Sequence, residues 1–504
     1  MKFGGTSVED PAAISRTAAI VAGRVAMGKS PVVVVSALSK VTDQLLRAAS
    51  SAAAGDRTGA LAISSRLRAR HRDTACALVK DPKASVPLIT LIDQKFDSLD
   101  EILRGLAAIQ ELTPRISDLI VSYGERISSR IVVAAFCTHG IPAAHLDARE
   151  IIVTDSQFQR AVPQDSIIEK RAAEKIRPLV DQGKVPVMGG FIAANEEGIT
   201  TTLGRGGSDF TGALIGGAMN AEAIEIWTDV DGIMTCDPRV CPDALRVKAI
   251  SFEEAAELAY FGAKVLHPAT ILPAVKKNIP VLVLNSRNPS NEGTRIVSLA
   301  PHCRSPFKSI AVKKKLSIID VVASRMLMSH GYLKEIFTIF DKHKCPVDMV
   351  STSEVSVSLT VDSNDRLPAI AADLSQLADV KYEGKKALIC MVGEDIRGQN
   401  GIAAQVFNAI RHINVRMISQ GASEINMSFM IEEDDADEAV AHCTPPSSGT
   451  PIRKSSTSKR KRSPPNPRGR DAVSRLRQRK NRLTRGRSQP RARPWRARPR
   501  YHRE

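Results

Sequence analysis

The chain has no run of about twenty apolar residues, so the sequence indicates no helical membrane span. Its N-terminus lacks the succession of basic, apolar and small residues that marks a secretory signal. Eight cysteines, at 76, 137, 236, 241, 303, 345, 390 and 443, form neither a CxxC pair nor a Cys/His cluster. That scatter argues against a zinc site and for reduced thiols in the cytoplasm. The glycine turn near the N-terminus is not a P-loop, because its lysine precedes the glycines. Beyond residue 430 there is no GxGxxG unit, and too little chain remains to build a dinucleotide-binding domain. Basic charge is also missing from most of the protein. The net charge is +17, but residues 444–504 hold 21 Lys/Arg against Asp471 and Glu504, a local net of +19, and everything before them sums to −2. The basicity belongs to the tail.

At 504 residues and 43% hydrophobic content, the chain is long enough for two to four domains with sizeable cores. The tail, rich in Pro, Ser and Arg, cannot bury enough apolar surface to fold alone. It would bind polyanions non-specifically with steep salt dependence, yet Trp495 and Tyr501 are its only aromatic stacking candidates.

The stretch Thr201–Asp209, TTLGRGGSD, organises the rest. Gly204, Gly206 and Gly207 allow backbone amides to approach a ligand closely and form an anion-binding nest. Arg205 adds a planar donor fork suited to carboxylate or phosphate. The following FTGALIGGAM reads as a helix whose positive N-terminal end faces the same ligand. Met1–Val8 carries a Lys-x-Gly-Gly turn followed by Thr-Ser, and Glu9-Asp10-Pro11 opens a helix from Ala12 to about Met27. The strand that should feed this turn is expected to be incomplete, as if the start lay a few residues late. Pro31–Val35, Val185–Met188, Ala223–Trp227 and Val281–Leu284 read as buried parallel strands that end at Ser36, Gly189-Gly190, Thr228-Asp229 and Asn285-Ser286. Helical segments alternate with them, which implies βαβ crossovers, and ligands in such sheets bind beyond the carboxyl ends of the strands. SYGER at 122–126 reads as a break in the helical pattern of 41–120, with Glu125 a surface residue unless a base or an amine comes near.

Residues 286–310 turn polar and loop-like, a domain boundary. Beyond it lies an internal repeat: Phe337 and Phe407, and the Ser-Glu pairs 353/354 and 423/424, are each 70 positions apart. Two small modules of this kind bind a regulatory ligand or dimerise, and they carry no acid/base cluster.

KFGGTSV at 2–8, SYGER, TTLGRGGSD, WTDVDGI at 227–233, CDPR at 236–239, FGAKVLHPAT at 261–270 and STSEVSVSLT at 351–360 together resemble the aspartate kinases of the amino acid kinase family, over Lys2 to about residue 442. The resemblance implies an α/β fold: an αβα sandwich with a mainly parallel sheet at 1–300, then two α+β ACT modules. These are expected at 310–385, completed by about 431–443, and at 386–431, with the basic tail at 444–504 either genuine or the product of a frameshift. It implies phosphorylation of the L-aspartate side chain by ATP with Mg²⁺, the first step towards lysine, threonine and methionine. Lys2 would stabilise the phosphoryl group in flight and Asp209 would hold that lysine, with Gly4, Gly5, Gly206, Gly207 and Ser208 around the phosphates. Ser36, Thr42, Glu125 and Arg205 would hold aspartate, Glu125 taking the ammonium and Arg205 the α-carboxylate. Thr228, Asp229, Asp237, Arg239 and Lys264 would line the ATP site. Met326, Ser329, Val347, Asp348, Ser353 and Glu354 match effector positions of lysine-sensitive members, Asp348 and Glu354 pairing with an amine. A homodimer through the ACT modules is expected. Rivals are another enzyme of the same fold, a kinase fused to homoserine dehydrogenase, and a polyanion-binding protein acting through the tail.

Overall fold

The computed structural model describes residues 1–262, 268–302, 305–322 and 331–444, all within one compact unit, Met1–Ser447. In chain order, the first region runs β1 (Lys2–Phe3), α1 (Pro11–Ala26), β2 (Val33–Val35), α2 (Val41–Ala53), α3 (Arg57–Leu78), α4 (Pro82–Ile109), α5 (Pro114–Thr138), β3 (Ala143–Leu146) and β4 (Val153–Thr154). It continues with α6 (Asp165–Lys175), α7 (Arg177–Asp181), β5 (Val185–Gly189), β6 (Ile192–Asn195), β7 (Thr200–Thr202), α8 (Gly207–Ala218) and β8 (Ile224–Thr228). β9 (Ala249–Ser251), α9 (Phe252–Tyr260), α10 (Leu272–Lys277), β10 (Val281–Asn285) and β11 (Thr294–Val297) close it.

One device starts three of these helices. Asp10, Asp81 and Thr113 each accept a hydrogen bond from a first-turn amide, and each is followed by a proline. The side chain satisfies an orphan donor, and proline has no amide to satisfy at that position.

The main sheet has the order β3-β5-β2-β1-β8-β10-β11-β9. Its pairs are parallel except β10 with β11. Alternation along each strand separates two cores. Phe3, Val33, Val35, Val187 and Trp227 face α1–α5, whereas Val34 and Met188 face α6 and α8. Ile224, Ile226, Val281 and Val283 join α9 and α10 on that second face. Helices on both faces make the αβα sandwich.

Two expectations are corrected in this region. SYGER does not interrupt a helix: it lies inside the continuous α5. Gly124 is needed there because a Cβ would stand 2.8 Å from that of Ala37. The loop-like stretch 286–310 also contains β11, which adds an antiparallel strand to the sheet and leads to β9.

The second region comprises β12 (Phe307–Val322), α11 (Tyr332–Lys342), β13 (Met349–Thr352), β14 (Ser356–Asp362), α12 (Leu367–Leu374), β15 (Asp379–Gly393), α13 (Ile402–Ala409), β16 (Met417–Gln420), β17 (Asn426–Glu432) and α14 (Ala436–Cys443). Its strands form one antiparallel sheet, β13-β14-β12-β15-β17-β16, with the two long strands shared at the centre. The far end of β12 packs with β14 under α11 and α12. The near end, with β15 and β17, packs under α13 and α14. In the closing stretch 431–443, α14 packs its Ala439 and Val440 in one core with Phe307 and Ile310 of β12 and with Ile402 and Val406 of α13. The other sheet face, including Leu388, Cys390 and Val392, packs against α9 and the main sheet.

Candidate active site

β1 lies between β2 and β8, so the turn that follows it emerges at the middle of the sheet's carboxyl edge. Phe3 points into one core and stacks on Trp227, centroids 5.9 Å apart. Lys2 consequently points to the opposite face, towards α8. Gly212 of α8 makes the passage possible, because a Cβ there would lie 3.2 Å from the Lys2 Cβ. The ammonium reaches one turn back along the helix, where Nζ stands 2.7 Å from Asp209 Oδ1, both side chains being largely buried. A carboxylate in the first turn of a helix is itself favoured by the helix dipole. Gly4 packs against the same ammonium, since a Cβ at Gly4 would come within 3.5 Å of Nζ, and its amide donates to Trp227 O at 3.0 Å.

A ring of close contacts joins this pair to the neighbouring strand ends. Gly5 abuts Ala37 O, and the Ala37 amide donates to Glu125 Oε1 at 3.1 Å. Gly189 lies against the Cβ and backbone of Glu125, and Gly190 against Ser208, whose neighbour Asp209 returns to Lys2. A Cβ at Gly189 or Gly190 would approach those atoms to 2.9 or 2.8 Å, closer than carbon atoms tolerate. Ser36 sits in the same loop, its carbonyl accepting from Ser128 Oγ at 2.7 Å. Thr42, half-buried, occupies the first turn of α2. Lys2, Gly4, Gly5, Ser36, Glu125, Ser208 and Asp209 are thus brought together at one edge of the sheet.

Glu125 is not a surface residue. It is only 3% exposed, and its Oε2 has no hydrogen-bond partner among the described residues. Burial pushes its carboxyl up to about 8, against a smaller opposing effect of the Ala37 amide. A buried carboxyl with one free oxygen facing strand-end loops is suited to receive a cation.

Arg205 is exposed, between Gly204 and Gly206 at φ +74° and +72°. These left-handed conformations, which favour glycine, turn the chain sharply into Gly207 at the start of α8. Thr228 and Asp229 lie at the end of β8, where the Thr228 carbonyl accepts from the Ser286 amide at 2.8 Å and its hydroxyl at 3.0 Å. Asp237 and Arg239 form a two-pronged ion pair, with the guanidinium largely exposed. Their segment is tied to the start of β12, through Ile310 N to Thr235 O at 2.8 Å and Ser309 Oγ to Met234 O at 2.7 Å. No hydrogen bond or ion pair links them to Lys2 among the described residues. Lys264 lies outside the described residues, as do the effector candidates Met326 and Ser329. Val347 and Asp348 precede β13, whereas Ser353 and Glu354 are exposed at the tip of the β13–β14 hairpin. Asp348 and Glu354 are therefore roughly 15–20 Å apart along the strand, too far for one chain to clasp a single ammonium with both. Asp348 is instead held by Lys313 Nζ at 2.7 and 2.9 Å.

Sequence reasoning missed Asp118 and Phe191. Asp118, buried two turns before Glu125 on α5, accepts from the Gln159 amide at 2.8 Å, the Thr202 amide at 3.0 Å and Thr202 Oγ1 at 2.8 Å. It anchors β7, the strand that delivers the GRGGSD loop. Its spacing of seven from Glu125 on one helix was the available signal. Phe191 has φ +67°, a strained conformation for an aromatic residue, and its ring packs on Gly207.

The pattern of the amino acid kinase family matches residues 1–285, and an ACT domain pattern matches 389–444. The chain is 36% identical over 449 residues to lysine-sensitive aspartokinase 3 of Escherichia coli, covering 87% of this chain and 96% of that protein. The chain belongs to the aspartokinases. It is likewise 36% identical to the chloroplastic aspartokinase 1 of Arabidopsis thaliana, over 87% of this chain and 78% of the relative. The structure of E. coli aspartokinase III with aspartate and ADP superposes with a TM-score of 0.75 at 35% identity, over 88% of this chain and 97% of that one. The lysine- and aspartate-bound T-state of the same enzyme gives 0.73 at 35% identity, over 87% and 97%. This aspartokinase is an aspartate kinase, a phosphotransferase with a carboxylate as acceptor. None of its described helices is long and apolar enough to cross a membrane.

Proposed function

We propose that the chain transfers the γ-phosphoryl group of ATP to the side-chain carboxylate of L-aspartate at the strand-end ring, with Lys2 neutralising the group in transit. The carrying observation is the buried Lys2–Asp209 pair at 2.7 Å, which fixes one cation at the centre of the carboxyl edge. No general base is required, because the acceptor carboxylate is already ionised at neutral pH. In-line alignment and charge neutralisation are then the whole task. Glu125 receives the substrate ammonium, which repays the burial of its carboxylate. Arg205 closes on the α-carboxylate with its planar fork, Ser36 and Thr42 fix the acceptor end, and the amides of Gly4, Gly5, Gly206, Gly207 and Ser208 line the phosphates.

Thr228 and Asp229 line the nucleotide side, with Asp237 and Arg239 at its margin. Hard-oxygen donors there, Asp229 among them, fit Mg²⁺ carried in on the ATP phosphates, where it supplies charge neutralisation. Residues 1–300 form the catalytic part and the six-stranded sheet the regulatory part, with lysine as effector at Asp348 and a homodimer through that sheet. A dimer would let Asp348 of one chain and Glu354 of its partner face the same amine. The seven described cysteines are free thiols, in keeping with a cytoplasmic enzyme.

Lys2→Ala should lower kcat by about 10²–10³ while changing the KM for aspartate far less, since the ammonium acts on charge that develops in transfer. A coupled ATP-and-aspartate assay reads both constants. Retained turnover would remove Lys2 from the mechanism.

A further inference from the structure

A second polar cleft lies behind the helix that carries Glu125. It lies between α4, α5 and the edge strand β3, a partly open cleft with about 30 Å³ of accessible space, and Lys95, Arg126 and Arg130 line it. Among the described residues, none of these three cations has a carboxylate within ion-pairing distance. The one acid in the wall, Asp147, is already saturated: Arg149 meets it with Nε at 3.0 Å, Nη2 at 2.6 Å and its amide at 3.1 Å. The cleft therefore carries three positive charges with no direct ion-pair partner among the described residues, eased only at longer range by Asp147. His145 adds a neutral donor or acceptor, its Nε2 being 3.0 Å from Ser129 Oγ.

Such a cluster is unfavourable in the empty protein. Arg126 is half-buried, with its guanidinium 4.7 Å above the Tyr123 ring. Burial, then repulsion from Arg149, lowers the Arg126 pKa, and burial followed by repulsion from Arg126 lowers that of Lys95. Burial, with Arg130 next, holds His145 down at about 4, so its imidazole is neutral at physiological pH. A bound anion would reverse the repulsion. Guanidinium forks meet carboxylate or phosphate oxygens in paired hydrogen bonds, and an ammonium adds a point charge.

We infer that this cleft is a binding site for a small multivalent oxyanion, separate from the phosphoryl-transfer ring but sharing its wall at Gly189. The required chemistry is two or more negatively charged oxygen groups within one compact ligand, found equally in phosphate and in a tricarboxylate. Nothing in the phosphoryl-transfer reading assigns a role to Lys95 or Arg130.

The test is equilibrium binding of inorganic phosphate and, separately, citrate to the full chain, with aspartate and a non-hydrolysable ATP analogue saturating the transfer site. Binding of either probe is expected, and the tighter one identifies the source chemistry. Lys95→Gln/Arg130→Gln should weaken it by about tenfold or more, leaving aspartate-dependent turnover unchanged. Arg130→Glu, on an exposed position, should abolish it without unfolding the protein. Unaltered affinity in both variants, or no binding of either anion at millimolar concentration, would overturn the assignment. Activity is read in the same samples, so failure of the cleft is distinguishable from failure of the transfer site.

Discussion

Glu125 holds its proton more tightly in the folded protein than in the unfolded chain, because burial disfavours the ionised carboxyl. With a folded-state pKa raised from 4.5 to about 8, the folded state binds more protons between those values. Stability contributed by this group accordingly falls as pH rises from 4.5 to about 8 and is level above. Glu125→Gln should flatten that slope in urea titrations across the same range. The substrate ammonium favours the ionised form, so aspartate binding must release a proton below this pKa. The apparent KM for aspartate should fall by up to about tenfold per pH unit and level off near 8, with Glu125→Gln abolishing the trend. Asp118 acts differently, through the backbone. Asp118→Ala strands two amides and a hydroxyl in the interior and should cost of order 3 kcal/mol, with Asp118→Asn recovering part; denaturant midpoints measure both. Neither residue was legible as buried. Glu125 is enclosed by an amide 88 positions away and Asp118 by a threonine 84 away, and no local pattern encodes such partners. The Lys2 turn and the GRGGSD loop were legible, because glycines beside charged residues are a local signature.

At the scale of elements, α9 is the joint between the two sheets. Glu254 caps its start and forms a buried ion pair with Lys308 of β12 at 2.9 Å. Glu257 accepts from Asn426 Nδ2 at 2.7 Å, and Tyr260 donates to Asp348 at 3.3 Å. Removing one partner of a buried pair leaves the other charge unpaired, so Lys308→Ala should destabilise by about 3–5 kcal/mol, while Lys308→Met with Glu254→Gln recovers most of it. Thermal unfolding would show the difference. Asp348 touches Lys313 and Tyr260 together, so an effector amine at Asp348 must disturb the end of α9, directly before FGAKVLHPAT. Tyr260→Phe should weaken lysine inhibition several-fold, the size of a typical coupling contact, with uninhibited kcat unchanged. Inhibition curves decide it. The short parallel strands were readable from β-branched runs bounded by small residues. β11 was not, since Thr294–Val297 becomes a strand only by pairing with β10 and β9. SYGER misled because glycine reads locally as a helix breaker, whereas here it is the room left for Ala37.

Across the unit Met1–Ser447, a mainly parallel sheet gathers its loops at a single edge and a six-stranded antiparallel sheet packs against its flank through α9. The fold class could be inferred from alternation and repeat spacing, but the seating of α14 beside α13 depends on a sheet shared by both modules. The proposed transfer mechanism requires the edge to work as a unit around Lys2 and Asp209. A double-mutant cycle tests it most directly: kcat for aspartate phosphorylation in wild type, Lys2→Ala, Asp209→Asn and the double variant. If Asp209 acts by holding Lys2, the double variant should be no slower than Lys2→Ala alone. Losses that add independently, or a Lys2→Ala enzyme that keeps its turnover, would rule out this coupling.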